Sequence, residues 1–152
     1  MIRILNILLP VDFSKSSLYA ARYAASLAQT HNARLYVLHV KEPFPVHGRI
    51  VAGSLEDVQK HRMIKEQAEL PEVIPAAFKN AIEVEEIQVI GIPVYRVIVE
   101  KARQLRVDVI VMASQDHKGW GRVFKKNMIE QVIRHAPCSV FVVRPPAEKA
   151  DD

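Results

Sequence analysis

The sequence predicts an α/β fold, an open five-stranded parallel sheet covered by helices on both faces. Three observations carry that expectation. Short apolar runs recur at residues 4–11, 33–40, 84–90, 107–112 and 138–143. Segments with apolar residues every three to four positions lie between them, so strand and helix alternate along the chain. Runs that are apolar nearly throughout need cover on both sides, the condition of a parallel sheet.

The first run, 4–11, gives way at Asp12-Phe13-Ser14. Ser14 is placed to cap a helix whose stripe is Leu18, Ala21, Ala25 and Ala28, small enough for close packing on a sheet. His31-Asn32 ends that helix, since Asn tolerates the left-handed cap. The second strand is 33–40. Residues 41–53 hold Pro43, Pro45, Gly48 and Gly53 and read as a loop. Ser54 with Asp57 opens a polar helix, which Pro71 and Pro75 break or kink before Phe78. Residues 84–90 alternate in part, as near a sheet edge. Gly91-Ile92-Pro93 starts the next helix, with Val94, Val97, Ile98, Ala102 and Leu105 inward. The fourth strand is 107–112. The last helix carries Phe124, Met128, Ile129, Val132 and Ile133 on one side, and Ala136-Pro137 stops it before strand 138–143. Crossovers are expected to be right-handed.

The whole is expected to be one domain over residues 1–146 with a disordered acidic tail at 147–152. A chain of 152 residues with 49% apolar and 25% charged residues suits an ordinary globular protein. No apolar run approaches the roughly 18 residues of a membrane span. The N-terminal MIRILNILLPVD is too short for a signal peptide and lacks a cleavage site, so the expected location is cytoplasmic. The only cysteine, Cys138, excludes an internal disulfide and reads as a small buried hydrophobe. A net charge of +4 permits contact with anions without establishing nucleic-acid binding. No RNA-binding aromatic motif, zinc-ligand cluster or basic tail is present. His31, His39, His47, His61, His117 and His135 show no ligand spacing.

Two blocks resemble the universal stress protein family. At the front these are ILLPVDFSKSS, AARYAASLA and ARLYVLHV; at the back, VDVIVMAS and VIRHAPCSVFVVR. The resemblance covers nearly the whole chain. It implies a Rossmann-like sheet of the adenine nucleotide alpha hydrolase type with strand order 3-2-1-4-5, and homodimers through the last strand. That order puts Asp12 and Met112-Ala113 at one crevice, where the order reverses. The apolar edge formed by Val140, Phe141, Val142 and Val143 agrees with the dimer, because unprotected edges pair.

The resemblance also implies where a nucleotide would sit. Nucleotide-binding members carry G-x2-G-x9-G-[S/T] after the fourth strand. On this chain the three glycine positions hold Ala113, Asp116 and Lys126, and the hydroxyl position holds Asn127. Gly119 and Gly121 lie off the motif. Glycines in a phosphate cradle allow positive φ and close approach of backbone N–H groups. A β-carbon at a positive-φ position costs about 1–2 kcal/mol, and the Asp116 carboxylate repels a triphosphate. Lys118, Arg122, Lys125 and Lys126 form either a salvaged anion site at a helix start or a solvated helix face, with Lys126 paired to Asp116 or Glu130. The second is the plainer reading. In the resemblance Asp12 meets the nucleotide sugar or its metal, and Pro10, Val40 and Met112 line the site, Val40 meeting adenine through its backbone. Without the resemblance, Asp12 is a turn residue, Val40 a strand end, and Asn127 a cap as readily as a phosphate donor. Trp120 either covers the pocket, meets a partner or packs back on the domain.

The chain lacks G-x-S-x-G, G-x-x-x-x-G-K-[ST] and, in its first turn, any glycine. These absences argue against a serine hydrolase, a P-loop and a dinucleotide fingerprint. The expected function is regulatory or protective, through protein contacts, with a degenerate nucleotide pocket and no turnover. The alternative is a module holding AMP or ATP in the same crevice, AMP suiting Asp116 better. A slow hydrolase is the weakest option, because only Asp12 offers a general base.

Overall fold

The computed structural model describes residues 1–43, 72–114 and 126–146. Five strands run as β1 (Asn6–Val11), β2 (Arg34–Lys41), β3 (Glu83–Ile90), β4 (Val109–Ala113) and β5 (Ser139–Val143). Among the described residues the helices are α1 (Lys15–His31), α2 (Val94–Gln104) and α3 (Lys126–His135), with a 3-10 turn at Ala76–Phe78. All pairings are parallel and the order is β3-β2-β1-β4-β5, as the family resemblance implies. The polar helix expected from Ser54, most of the 41–53 loop and the 147–152 tail lie outside the described residues. Lys41 itself is the last residue of β2, not the first of the loop.

Local chemistry accounts for α1 at both ends. The Ser14 Oγ accepts from the Ser17 N–H at 3.2 Å. Asn32 takes the left-handed conformation, φ 52° and ψ 45°, and its N–H reaches the carbonyls of Ala28 and Gln29. At the entry to α2, Gly91 is required by space, since a β-carbon there would stand 2.7 Å from Val97 Cγ2. The 3-10 turn begins directly after Pro75.

Successive strand residues feed two separate cores, as the two-residue period of a strand demands. Ile7, Leu9, Val11, Leu35, Val37 and Val111 pack under α1 with the buried Ala20, Ala21, Ala24, Ala25 and Ala28. Leu8, Leu38, Val40, Ile110 and Met112 pack on the other face with Val94, Ile98, Ala102, Met128 and Val132 of α2 and α3. The helices therefore lie on both faces. α1 carries the chain one way across one face, and α2 and α3 carry it the other way across the opposite face, so these crossovers share one hand.

Two residues expected inward or at an edge are placed otherwise. Ile133 is 55% exposed. It follows the buried Val132 by about 100° of helix turn, which carries it off the stripe that Met128 and Val132 define. Val143 is 3% exposed and belongs to the core under α1, so its side chain is not part of an open edge.

The strand entries are tied by one carboxylate. Asp108 Oδ2 accepts from the backbone N–H groups of Leu5 at 2.7 Å and Asn6 at 2.9 Å. Asn6 Nδ2 donates back to the Arg106 carbonyl at 3.2 Å. Hydrogen bonds to an ionised acceptor are stronger than neutral ones, though exposure weakens them here. Asp108→Ala is expected to lower stability by about 1–2 kcal/mol in urea denaturation, and Asp108→Asn by less because it keeps an acceptor. Equal stability of Asp108→Ala and the parent would show that this clamp contributes nothing.

Candidate functional site

The crevice is built by strand pairing. β1 and β4 pair through Ile7–Val109 and Leu8–Ile110. β1 then stays in register with β2 as far as Val11–His39, and β4 with β5 as far as Ala113–Val143. Each strand follows its outer neighbour, and the two central strands part at their carboxyl ends. That parting lies where the strand order reverses, the place at which open α/β sheets take ligands.

Asp12 and Ala113 stand at the carboxyl ends of β1 and β4, on either side of that parting. Asp12 leaves β1 half-buried, and its Oδ1 accepts from the Ser14 N–H at 2.9 Å. This is the turn role that its sequence context suggests, and it fixes the carboxylate at the crevice mouth. Phe13 follows with φ 62°, unusual for a residue with a β-carbon. Pro10 is buried in β1 opposite Leu38. Ala113 ends β4 half-buried, and the following Ser114 is pinned to the Val143 carbonyl by its N–H at 2.8 Å and its Oγ at 3.4 Å.

Val40 and Met112 are placed differently from ligand-facing side chains. At 4% and 3% exposed they fill the core under α2 and α3. Only their backbone groups remain to meet a ligand. Lys126 and Asn127 open α3. Asp116, with Lys118, Trp120, Arg122 and Lys125, lies outside the described residues. The conformational cost expected at the glycine positions does not arise at two of them. Ala113 is extended strand and Lys126 is helix, so neither requires positive φ. What a β-carbon restricts there is close approach alone.

Sequence reasoning passed over a second feature, on the α1 face beside β1 and β2. His39 packs edge-on against Phe13, ring centroids 4.7 Å apart, in a shallow pocket with Val11, Val37, Val73 and Gln88. The signal available was positional. His39 shares its strand face with Val37 and pairs with Gln88 across β2–β3. No group of three or more metal-ligating side chains occurs among the described residues. Burial first, and then the charge of Asp108, push the Cys138 thiol above its usual pKa, which makes it a poor nucleophile at neutral pH.

The model of the universal stress protein family matches residues 4–144. The chain belongs to the universal stress protein family. Universal stress protein MJ0531 of Methanocaldococcus jannaschii is 30% identical over 144 residues, spanning 95% of this chain and 84% of that one. A universal stress protein of Thermus aquaticus, encoded in the 3' region of a QAH/OAS sulfhydrylase, is 31% identical over 139 residues, spanning 91% and 98%. The solved structure of UspA from Lactobacillus plantarum is 28% identical, covers 95% of this chain and all of its own, and superposes with a TM-score of 0.70. This universal stress protein therefore has the fold and family that its front and back blocks imply. No helix among the described residues is long and apolar enough to cross a membrane.

Proposed function

We propose that this universal stress protein acts in a regulatory or protective role through protein contacts, as a homodimer, and that its crevice takes adenine nucleotide weakly or not at all. The observation that carries the second half is the set Ala113, Asp116, Lys126 and Asn127 where nucleotide-binding members have glycines and a hydroxyl. The extended backbone at Ala113 adds to it, because a strand does not form the concave nest of N–H groups that wraps a phosphate. Asp12, Pro10, Val40 and Met112 keep the adenosine half of the crevice in place.

A second reading has its own support. Solved universal stress proteins of the same fold are described in complex with cAMP and, for one from Archaeoglobus fulgidus, with dAMP. Both ligands carry a single phosphate. On this reading Asp12 and the Val40 backbone hold an adenosine, while Asn127 and Lys126 meet a short phosphate.

Thermal unfolding with AMP, ADP and ATP at millimolar concentration, with and without magnesium, separates the readings, since a ligand of the folded state raises the melting temperature. The expected result is no shift. A shift with AMP that exceeds the shift with ATP establishes the second reading. A larger shift with ATP defeats both.

The homodimer rests on the contrast between the two sheet edges. β3 presents Glu83, Glu85 and Glu86, all exposed, and charge guards an edge against pairing. β5 presents no charge, and Phe141 and Val142 are 42% and 39% exposed. Val140 is half-buried, and Val143 turns its side chain to the core and its carbonyl to Ser114. Light scattering at tens of micromolar is expected to give twice the chain mass.

A further inference from the structure

We propose that the β3 edge of the sheet takes an added strand, an extended partner segment that reads apolar-basic-basic-apolar. This rests on the reading that the protein acts through protein contacts, and it names the chemistry of one such partner.

The sheet ends at β3, which pairs along its length with β2. The Gly91 N–H donates to the Lys41 carbonyl at 3.0 Å, so the Gly91 backbone turns toward β2. Backbone groups alternate in direction along a strand. Those of Val89, Ile87, Glu85 and Glu83 therefore also turn inward. Those of Val84, Glu86, Gln88 and Ile90 turn outward, and no backbone hydrogen bond among the described residues uses them. A row of open N–H and C=O groups is the template on which an extended segment adds to a sheet.

The side chains of β3 define what fits there. Val84 is half-buried against the core under α1, and Ile87 against the core on the opposite face. Glu85 and Glu86 lie between them, exposed, one on each face. Glu83 is paired with Arg34 of β2, whereas Glu85 and Glu86 join no ion pair among the described residues. Opposite charges directly across a ladder stabilise it, and so do apolar pairs. The complement of residues 84–87 is therefore apolar, basic, basic, apolar. That order reads the same in both directions, so it suits a parallel or an antiparallel guest. Gln88 adds one further preference. Its Oε1 is buried with no hydrogen-bond partner, and a hydroxyl across from it supplies a donor. The glutamates that keep a second copy of β3 away also repel the phosphates of nucleic acids and lipid headgroups, so a basic polypeptide is the occupant they select.

Synthetic peptides with blocked ends test the pattern. TVKKVT, which sets threonine across from Gln88 in either direction, is expected to bind saturably in fluorescence anisotropy and to weaken as salt rises. TKVVKT has the same composition and charge in another order and is expected to bind at least about tenfold more weakly, because it sets valine across from both glutamates. On binding TVKKVT, the amides of Val84, Glu86, Gln88 and Ile90 are expected to exchange more slowly with solvent. Glu85→Lys combined with Glu86→Lys is expected to lose TVKKVT and to gain TVEEVT, with an unchanged melting temperature. Equal binding of TVKKVT and TKVVKT reduces the contact to net charge and overturns the proposal. So does slowed exchange confined to other parts of the chain, or a folded double variant that gains nothing from TVEEVT. No binding of TVKKVT at millimolar concentration removes the β3 site alone. The reading through protein contacts is judged separately, by the melting shifts with nucleotides.

Discussion

Ala25→Leu is expected to lower the unfolding free energy by about 2–3 kcal/mol, at the upper end of what overpacking a core costs. Ala25 is fully buried, and so are Ala21, Ala24 and Ala28 around it. Together these methyl groups let α1 sit close above β1 and β4, with Leu9, Val11 and Val111 in the same core. A leucine adds three carbons where interiors are already packed at crystal density. The helix must then lift off the sheet or the strand side chains must leave their rotamers. The midpoint of urea denaturation should fall with little change in slope. Ser26→Leu, one residue on and exposed, is the control and should stay within about 0.5 kcal/mol of the parent. If Ala25→Leu proves as stable as the parent, close packing of α1 is not what the alanine stripe provides.

That stripe is legible in the sequence because a helix face is set by local spacing. The Ser14 cap, the Asn32 terminus and the Asp12 turn are legible for the same reason, since each is closed by partners within four residues. The strands are legible as apolar runs, with ends displaced by one or two residues, as at β2, which starts at Arg34 and ends at Lys41. Periodicity does not carry the strand order; that came from the family resemblance. The parting of β1 from β4 leaves no local trace, because it follows from which neighbour each strand keeps. Val143 and Ile133 depart from their expected places for a related reason. An apolar residue on an edge strand or a helix flank is assigned to core or surface by what lies across from it. The left-handed Phe13 and its contact with His39 depend on β2 arriving beside the first turn. Val40 and Met112 show the limit most plainly. Their positions at the strand ends suit a ligand, and their side chains serve the core.

The charge at Asp116 is expected to be the dominant obstacle to ATP, and Asp116→Gly to tighten ATP binding about tenfold, equivalent to about 1.4 kcal/mol. Ser114 is fixed to the Val143 carbonyl at the end of β4. Asp116 follows Ser114 by two positions in the sequence and falls on the second glycine of the family's motif. A single negative charge about 4 Å from another costs about 1 kcal/mol in water and more where water is excluded. A triphosphate presents several such charges and a monophosphate fewer, so the gain should be larger for ATP than for AMP. It should also shrink in high salt, which screens exposed charges beyond about 10 Å at 0.1 M. Asp116→Asn separates charge from shape. If repulsion dominates, Asn and Gly improve ATP binding alike. If the β-carbon is the obstacle, only Gly does. Ala113→Gly alone should change little, because the strand there needs no left-handed conformation. Calorimetric titration of the three variants with both nucleotides decides the matter. An Asp116→Asn protein that binds ATP no better than the parent would refute the electrostatic account.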